Sequence, residues 1–200
     1  SEDVRINQTG FGPGLNVKWH KIDNYLDVRS YSEYLIITIG HPILGDKIDI
    51  DNSLKFVVEG SSPSGINGQF LFVIFDKQRA TLRIINDRFT SYPVYFADLG
   101  NTFILSMSYR ELALKLNEKG RLQFNPAYCY EYILLQRLVG TKTLDCLSEY
   151  MPPATQLEVT RTGLKKHRYW TPDFTKQKRS YPQAGVELAE LFRASLRRVT

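Results

Sequence analysis

Asn67-Gly68-Gln69-Phe70-Leu71-Phe72-Val73-Ile74-Phe75-Asp76 runs through a short polar break into Thr81-Leu82-Arg83-Ile84-Ile85-Asn86-Asp87-Arg88-Phe89-Thr90-Ser91-Tyr92-Pro93-Val94-Tyr95-Phe96. In a strand, side chains alternate between faces, so Leu71, Val73 and Phe75 point one way and Phe70, Phe72 and Ile74 the other. Both faces are apolar, and both must be covered. That suits an inner strand of a layered structure better than a sheet with one wet face. Asp76-Lys77-Gln78-Arg79 reads as a hairpin loop, and Leu82, Ile84 and Ile85 as the start of the return strand. Pro93 fits a strand start or an edge, where no ladder donor is needed. Leu99-Gly100-Asn101 is a turn signal, and Phe103-Ile104-Leu105 a further strand.

The pattern continues on both sides. Tyr34–Ile39 reads as a buried strand stopped by Gly40-His41-Pro42, and residues 43–66 as polar loop with a break at Ser61–Gly65. Ser108 caps a helix over Tyr109–Leu116, with Glu111 completing a capping box. Asn125-Pro126 starts a helix running to about Leu138 and ended by Gly140. Its Tyr128, Tyr132, Leu135 and Val139 recur at helical spacing, as a packing stripe does. Gln156–Thr160 and Lys165–Tyr169 flank the turn Arg161-Thr162-Gly163 as a hairpin. Residues 171–182 are a polar linker. Residues 183–198 form an amphipathic helix with Val186, Leu188, Leu191, Phe192 and Leu196 on one face.

Composition narrows the functional classes. The chain is 42% hydrophobic and 24% charged, the balance of a globular protein, and its 200 residues suit one large domain or one domain plus an appendage. It shows no apolar run of membrane-spanning length and no signal-peptide pattern, and no membrane partner is expected. Cys129 and Cys146 make neither a disulfide framework nor a metal knuckle, which fits a reducing, cytoplasmic setting. Net charge is +5, with Lys165, Lys166, Arg168, Arg179, Arg193, Arg197 and Arg198 among the late basic residues. They span a strand, a loop and a helix without a recognition motif, so a solvated surface is favoured over nucleic acid. Gly10-Phe11-Gly12-Pro13-Gly14 reads as a turn, since Pro13 removes a donor that a phosphate cradle would use. His20, His41 and His167 have no metal-ligand spacing.

Several of these segments, in order, resemble the glutaminase (class II amidotransferase) domain of asparagine synthetases. The first strand is similar to N-G-x-F-A-F-x-x-W-D, and Asn86–Tyr95 to R-D-R-F-G-x-x-P-L-Y. Ser106–Leu114 resembles A-S-E-x-K-A-L. Lys142-Thr143-Leu144 with Glu149–Ala154 resembles T-L-F-x-x-I-x-x-L-P-P-G, and His167–Trp170 resembles R-Y-W. The resemblance covers residues 67–199. It implies an α+β fold of the N-terminal-nucleophile (Ntn) type, a four-layer αββα sandwich with two antiparallel sheets. It also implies a glutaminase-like domain over 1–170 and, over 171–200, a linker and helix leading towards a synthetase domain. Asp87, Arg88, Phe89, Pro93 and Tyr95 are its structural motif, with Asp87 and Arg88 read as an ion pair at the corner of the meander.

The departures from that family carry the functional expectation. Its N-terminal cysteine attacks the glutamine amide with the free α-amine as base. Here the chain begins Ser1-Glu2-Asp3, and neither cysteine lies near the start. The family's N-G-E-I-Y-N segment falls on Thr38–Pro42, with Ile39 in place of the asparagine that holds the oxyanion. Ile39, Gly40 and His41 therefore mark the remnant of the glutamine pocket, and Asp51 is the candidate for gripping a substrate amine. The expected function is a degenerate glutamine amidotransferase-like domain, a scaffold for the synthetase domain of an ATP-dependent amide-forming ligase. ATP and Mg²⁺ are expected in that synthetase domain, the principal partner, and no cofactor in this chain. A homodimer is the other partner considered. The alternatives are an amidohydrolase using Ser1, against which Glu2 and Asp3 stand where an apolar strand should begin, and a stand-alone basic binding module.

Overall fold

A computed structural model describes residues 4–7, 16–19, 26–175 and 179–199. Ser1, residues 10–14 and His20, all singled out in the sequence, lie outside them. The elements run β1 (Val4–Asn7), β2 (Asn16–Trp19), β3 (Leu26–Ser30), β4 (Tyr34–Leu44), β5 (Lys47–Ile48), α1 (Ile50–Val58), β6 (Ile66–Asp76), β7 (Thr81–Asn86), β8 (Tyr95–Asp98) and β9 (Phe103–Ser106). They continue with α2 (Tyr109–Glu118), α3 (Pro126–Leu135), β10 (Ser148–Tyr150), β11 (Thr155–Thr160), β12 (Gly163–Arg168) and α4 (Tyr181–Val199). All the pairings are antiparallel. One sheet runs β12-β11-β7-β6-β4-β3, with β5 paired to β4. A second runs β10-β8-β9, and β1 pairs with β2. The fold is α+β.

The central strand β6 does what its two apolar faces require. Phe70, Phe72 and Ile74 join Ile36, Ile66, Ile85 and, from α1, Leu54 and Val57 in one buried cluster. Leu71 on the opposite face joins Ile84, Leu157, Met151, Val94 and Phe96 in a second cluster, which ties the large sheet to β8 of the small one. On the far side of β8, Ala97 meets Leu112 and Leu116 of α2. Each fully buried aliphatic or aromatic side chain contributes about 1.5–3 kcal/mol of transfer free energy.

Three expectations are corrected. The strand read as ending at Gly40-His41-Pro42 continues to Leu44, paired with β6 throughout. Pro42 is tolerated because β3 pairs only as far as Ile39, leaving that stretch on an edge of the sheet. The segment read as loop contains α1. Asp49 caps it by accepting from the Asn52 N–H at 3.0 Å and the Asn52 side-chain amide at 2.8 Å, which holds its carboxyl below the usual range. Leu54 and Val57, three apart, bury the inner face of this short helix. The third helix ends at Leu135, because Gln136 turns left-handed at φ 57. Glu131 then folds the following residues back, accepting from the Val139 N–H at 2.8 Å and from Lys142 Nζ at 2.7 Å.

The helical faces also differ from expectation. Ser108 caps α2 through the Glu111 N–H at 3.4 Å, but its own N–H goes to Ser106 Oγ at 3.1 Å, so the reciprocal half of the capping box is replaced. No residue of α3 is buried: of its expected packing stripe only Tyr128 is half-buried, with Lys142 Nζ 5.1 Å from its ring centre, while Tyr132, Leu135 and Val139 are exposed. The apolar stripe of α4 is likewise exposed, from Val186 to Leu196. The positive charge of β12 lies on an edge strand, a placement that discourages sheet-to-sheet pairing. Lys166 there pairs with Glu149 at 2.5 Å. No described helix is long and apolar enough to cross a membrane.

Candidate functional site

The pair His41 and Gln69 lies across β4 and β6 between two glycines with left-handed backbones, Gly40 at φ +91 and Gly68 at φ +87. A Cβ on Gly68 would sit 2.2 Å from the His41 carbonyl oxygen. One on Gly40 would sit 2.3 Å from the Gln69 carbonyl oxygen and 2.6 and 2.7 Å from Cε2 and Oη of Tyr92. Only glycine fits at either position. Tyr92 therefore covers the Gly40 backbone, and the same ring packs with Ile39 against the cluster between the sheets. Ile39, Gly40 and His41, the expected pocket remnant, are thus contiguous on one strand. Their described neighbourhood offers an isoleucine, an imidazole, a phenol and, opposite His41, the Gln69 carboxamide, with no side-chain amide at position 39 itself.

Beyond Gly40, the backbone of Phe70 is gripped by Asp87. The Phe70 N–H donates to Asp87 Oδ2 at 3.2 Å, and the Asp87 N–H donates to the Phe70 carbonyl at 3.0 Å. The same carboxylate accepts from the Phe89 N–H at 2.8 Å and the Ser91 N–H at 3.1 Å, and the Asp87 carbonyl accepts from the Ala154 N–H at 2.9 Å. Asn86 adds a bond from Nδ2 to the Pro152 carbonyl at 2.8 Å and accepts from the Thr155 N–H at 2.8 Å. Its carbonyl takes the Tyr169 hydroxyl at 2.6 Å. Burial pushes the Tyr169 phenol up, the Asp87 charge adds to this, and Arg88 opposes it.

The expected Asp87–Arg88 ion pair is corrected. Backbone N–H groups take the carboxylate, and Arg88 donates instead to the Ser64 carbonyl at 2.7 Å. Its guanidinium lies 5.2 Å from the centre of the Trp170 ring, and Phe89, 79% exposed, meets that ring edge-on at 6.1 Å. Thr90 holds a left-handed backbone at φ 55, a costly state for a β-branched residue. Asn86 Nδ2 donates to its hydroxyl at 3.2 Å. Pro93 leads into β8, and Tyr95 lies between Tyr109 at 5.8 Å and Tyr150 at 5.4 Å, its ring tilted against both. These motif residues build a turn rather than a reactive group.

A family model described as a glutamine amidotransferase domain matches residues 60–170, more than half of the chain. The chain belongs to the glutamine amidotransferase domain family. No curated protein gives a significant match. The matched amidotransferase segment contains β6 to β12 and the whole Asp87 turn, while Ile39–His41 precede it and reach it through the β4–β6 pairing.

Other candidates in this amidotransferase domain fall elsewhere. Asp51 is exposed on the first turn of α1, ion-paired to Arg29 of β3. Cys129 lies on α3 and Cys146 in the loop before β10. His167 pairs across β12 and β11 with Gln156. Among the described residues no group of three His, Cys, Asp or Glu could hold a metal.

Sequence reasoning missed a second polar centre. Asp145, 1% exposed, accepts from the N–H groups of Leu147 and Ser148 at 2.7 Å each, from the Ser148 hydroxyl, from Thr143 Oγ1 at 3.2 Å and from Tyr109 Oη at 3.1 Å. Burial pushes its carboxyl up, but these donors outweigh burial, Ser148 first, and hold it below the usual range. Burial and then the Asp145 charge push the Tyr109 phenol up. The signal was present in Thr143-x-Asp145-x-x-Ser148, a spacing at which an aspartate caps its own turn.

Proposed function

We propose that this amidotransferase domain is the glutaminase-type half of an asparagine-synthetase-like, ATP-dependent, amide-forming ligase, one whose glutamine chemistry is lost and whose fold serves as a scaffold. The observation that carries the reading is the Gly40 site. An isoleucine stands where an oxyanion would need an amide, and the Tyr92 ring fills the space against the Gly40 backbone. An incoming glutamine carboxamide would meet the Tyr92 ring and hydroxyl in the space it needs, in place of a side-chain amide. The succession of α1, large sheet, small sheet and α2, joined by three apolar clusters, supports an Ntn-type αββα sandwich. The exposed apolar stripe of α4 supports a synthetase domain as its partner, with ATP and Mg²⁺ bound there and the amine taken from ammonia or from the substrate itself. The setting is the cytoplasm.

The test is glutamate release from L-glutamine by the purified chain, with Ser1→Ala alongside. The expected result is no turnover by either. Turnover lost in Ser1→Ala would overturn the proposal and make this a hydrolase with an N-terminal serine nucleophile.

A further inference from the structure

A helix as short as the ten residues of α3 is marginal in water unless tertiary contacts support it. None of α3 is buried, and none of its side chains joins any of the three apolar clusters. Its support is polar. At the start, Asn125 Oδ1 accepts from the Ala127 N–H at 3.0 Å, and the Asn125 N–H donates to the Leu144 carbonyl at 2.9 Å. At the other end the backbone reverses through Gln136 at φ 57 and Gly140 at φ 79. Among the described residues, Glu131 is the α3 side chain that hydrogen-bonds outside the helix. It accepts from the Val139 N–H at 2.8 Å and from Lys142 Nζ at 2.7 Å, and Lys142 Nζ also lies 5.1 Å from the centre of the Tyr128 ring.

We infer that α3 and the return segment 136–140 form a strap, closed by the Glu131 clasp, that opens as a unit while the rest of the domain stays folded. Local opening runs from near zero free energy up to that of global unfolding, and its low end belongs to segments with few buried apolar contacts. Releasing α3 uncovers no buried residue of its own, so the opening costs little of the core. The base on which the strap begins and ends is fixed independently. Leu144 holds the Asn125 N–H, and the Tyr150 N–H donates to the Thr141 carbonyl at 2.8 Å. Thr143, 3% exposed, donates to Asp145 Oδ2 at 3.2 Å in the buried polar centre. Glu131 joins the strap to that base through Lys142 and the helix to its own return through Val139. Both bonds are charge-assisted, the stronger kind, so one side chain sets the balance between closed and open. The domain thereby carries a two-state element beside a fixed frame.

Amide hydrogen exchange of the purified chain, read by mass spectrometry on peptides from α3 and from β6, tests the inference. In the wild type, α3 should exchange at least about 100-fold faster than β6, because it opens locally. Glu131→Ala should speed α3 exchange about tenfold further, while β6 protection and the thermal midpoint stay unchanged. Ile74→Val, in the cluster beneath α1, should lower the midpoint and speed β6 exchange while leaving α3 at its wild-type rate. An α3 that exchanges as slowly as β6 overturns the inference. So does a Glu131→Ala chain in which α3 exchange is unchanged, or in which β6 speeds up with it. An Ile74→Val chain whose α3 exchanges faster than the wild type overturns it too, since α3 would then open only with the core.

Discussion

The Asp87 turn and the Gly40 segment touch the same residue, Phe70, from opposite sides, and they are built in opposite ways. On one side, Phe70 exchanges two hydrogen bonds with Asp87, whose remaining carboxylate capacity goes to Phe89 and Ser91. On the other, Gly40 pairs with Phe70 under the ring of Tyr92. The first region is polar and over-determined, although Arg88 Nε is buried there without a hydrogen-bond partner. It keeps Thr90 in a conformation that costs of order 1–3 kcal/mol. The second is backbone covered by an aromatic ring. The lesson is that a hydrogen-bonded frame and a ring-covered backbone can meet at one strand residue and still rest on separate side chains.

Four measurements break or sharpen that contrast. Asp87→Ala removes the acceptor of three buried or half-buried N–H groups, and by urea denaturation should cost about 4 kcal/mol. A loss below about 1 kcal/mol would mean that the turn does not depend on its aspartate.

Asp145→Ala should cost about 3 kcal/mol at neutral pH by the same measurement, since it orphans donors from Tyr109, Leu147 and Ser148. The Asp145 carboxyl is depressed in the fold, so its contribution is present above the unfolded value of about 4 and is lost as pH falls through and below that value. The penalty of the substitution should therefore shrink in acid. Tyr109 has the opposite sign. Its raised phenol favours the fold below the unfolded value of about 10, and that contribution is lost as pH climbs beyond it.

Tyr92→Gly should cost about 2 kcal/mol in thermal denaturation, through lost packing against the inter-sheet cluster. It should also leave a space against Gly40 that p-cresol refills, read as a rise in midpoint that the wild type does not show. A variant indifferent to p-cresol would mean that the sheet collapses around Gly40. Ala80→Gly is the smallest change. Ala80 holds φ 49 in the turn between β6 and β7, and glycine there should stabilise by about 0.5–1 kcal/mol.

Much of the framework was legible in the sequence because it is local. The two apolar faces of β6 follow from alternation alone, and Ser108 and Asn125 announce the helices they cap. The misses have physical causes. Helix α1 lies between glycines 45 and 60 and buries only Ser53, Leu54 and Val57, too few for periodicity to outweigh its polar residues. Strand β4 passes Gly40 and Pro42 because it is at an edge there, which no local signal reveals. The Asp87–Arg88 pair was misread because adjacency in sequence says nothing of where each side chain finds its partner. The contact of Tyr92 with Gly40 is entirely non-local. The sequence drew attention to Ile39-Gly40-His41, but the ring that occupies the space against Gly40 could not be read from it.

The chain contains two tryptophans, and Trp170 stands against the guanidinium of Arg88 and the edge of Phe89, both from the Asp87 turn. Its indole is thus an optical probe wired into the turn. When the hydrogen bonds of Asp87 give way, Arg88 and Phe89 leave the ring and water replaces them. The emission of Trp170 then shifts to the red and reports loss of the frame without any added label.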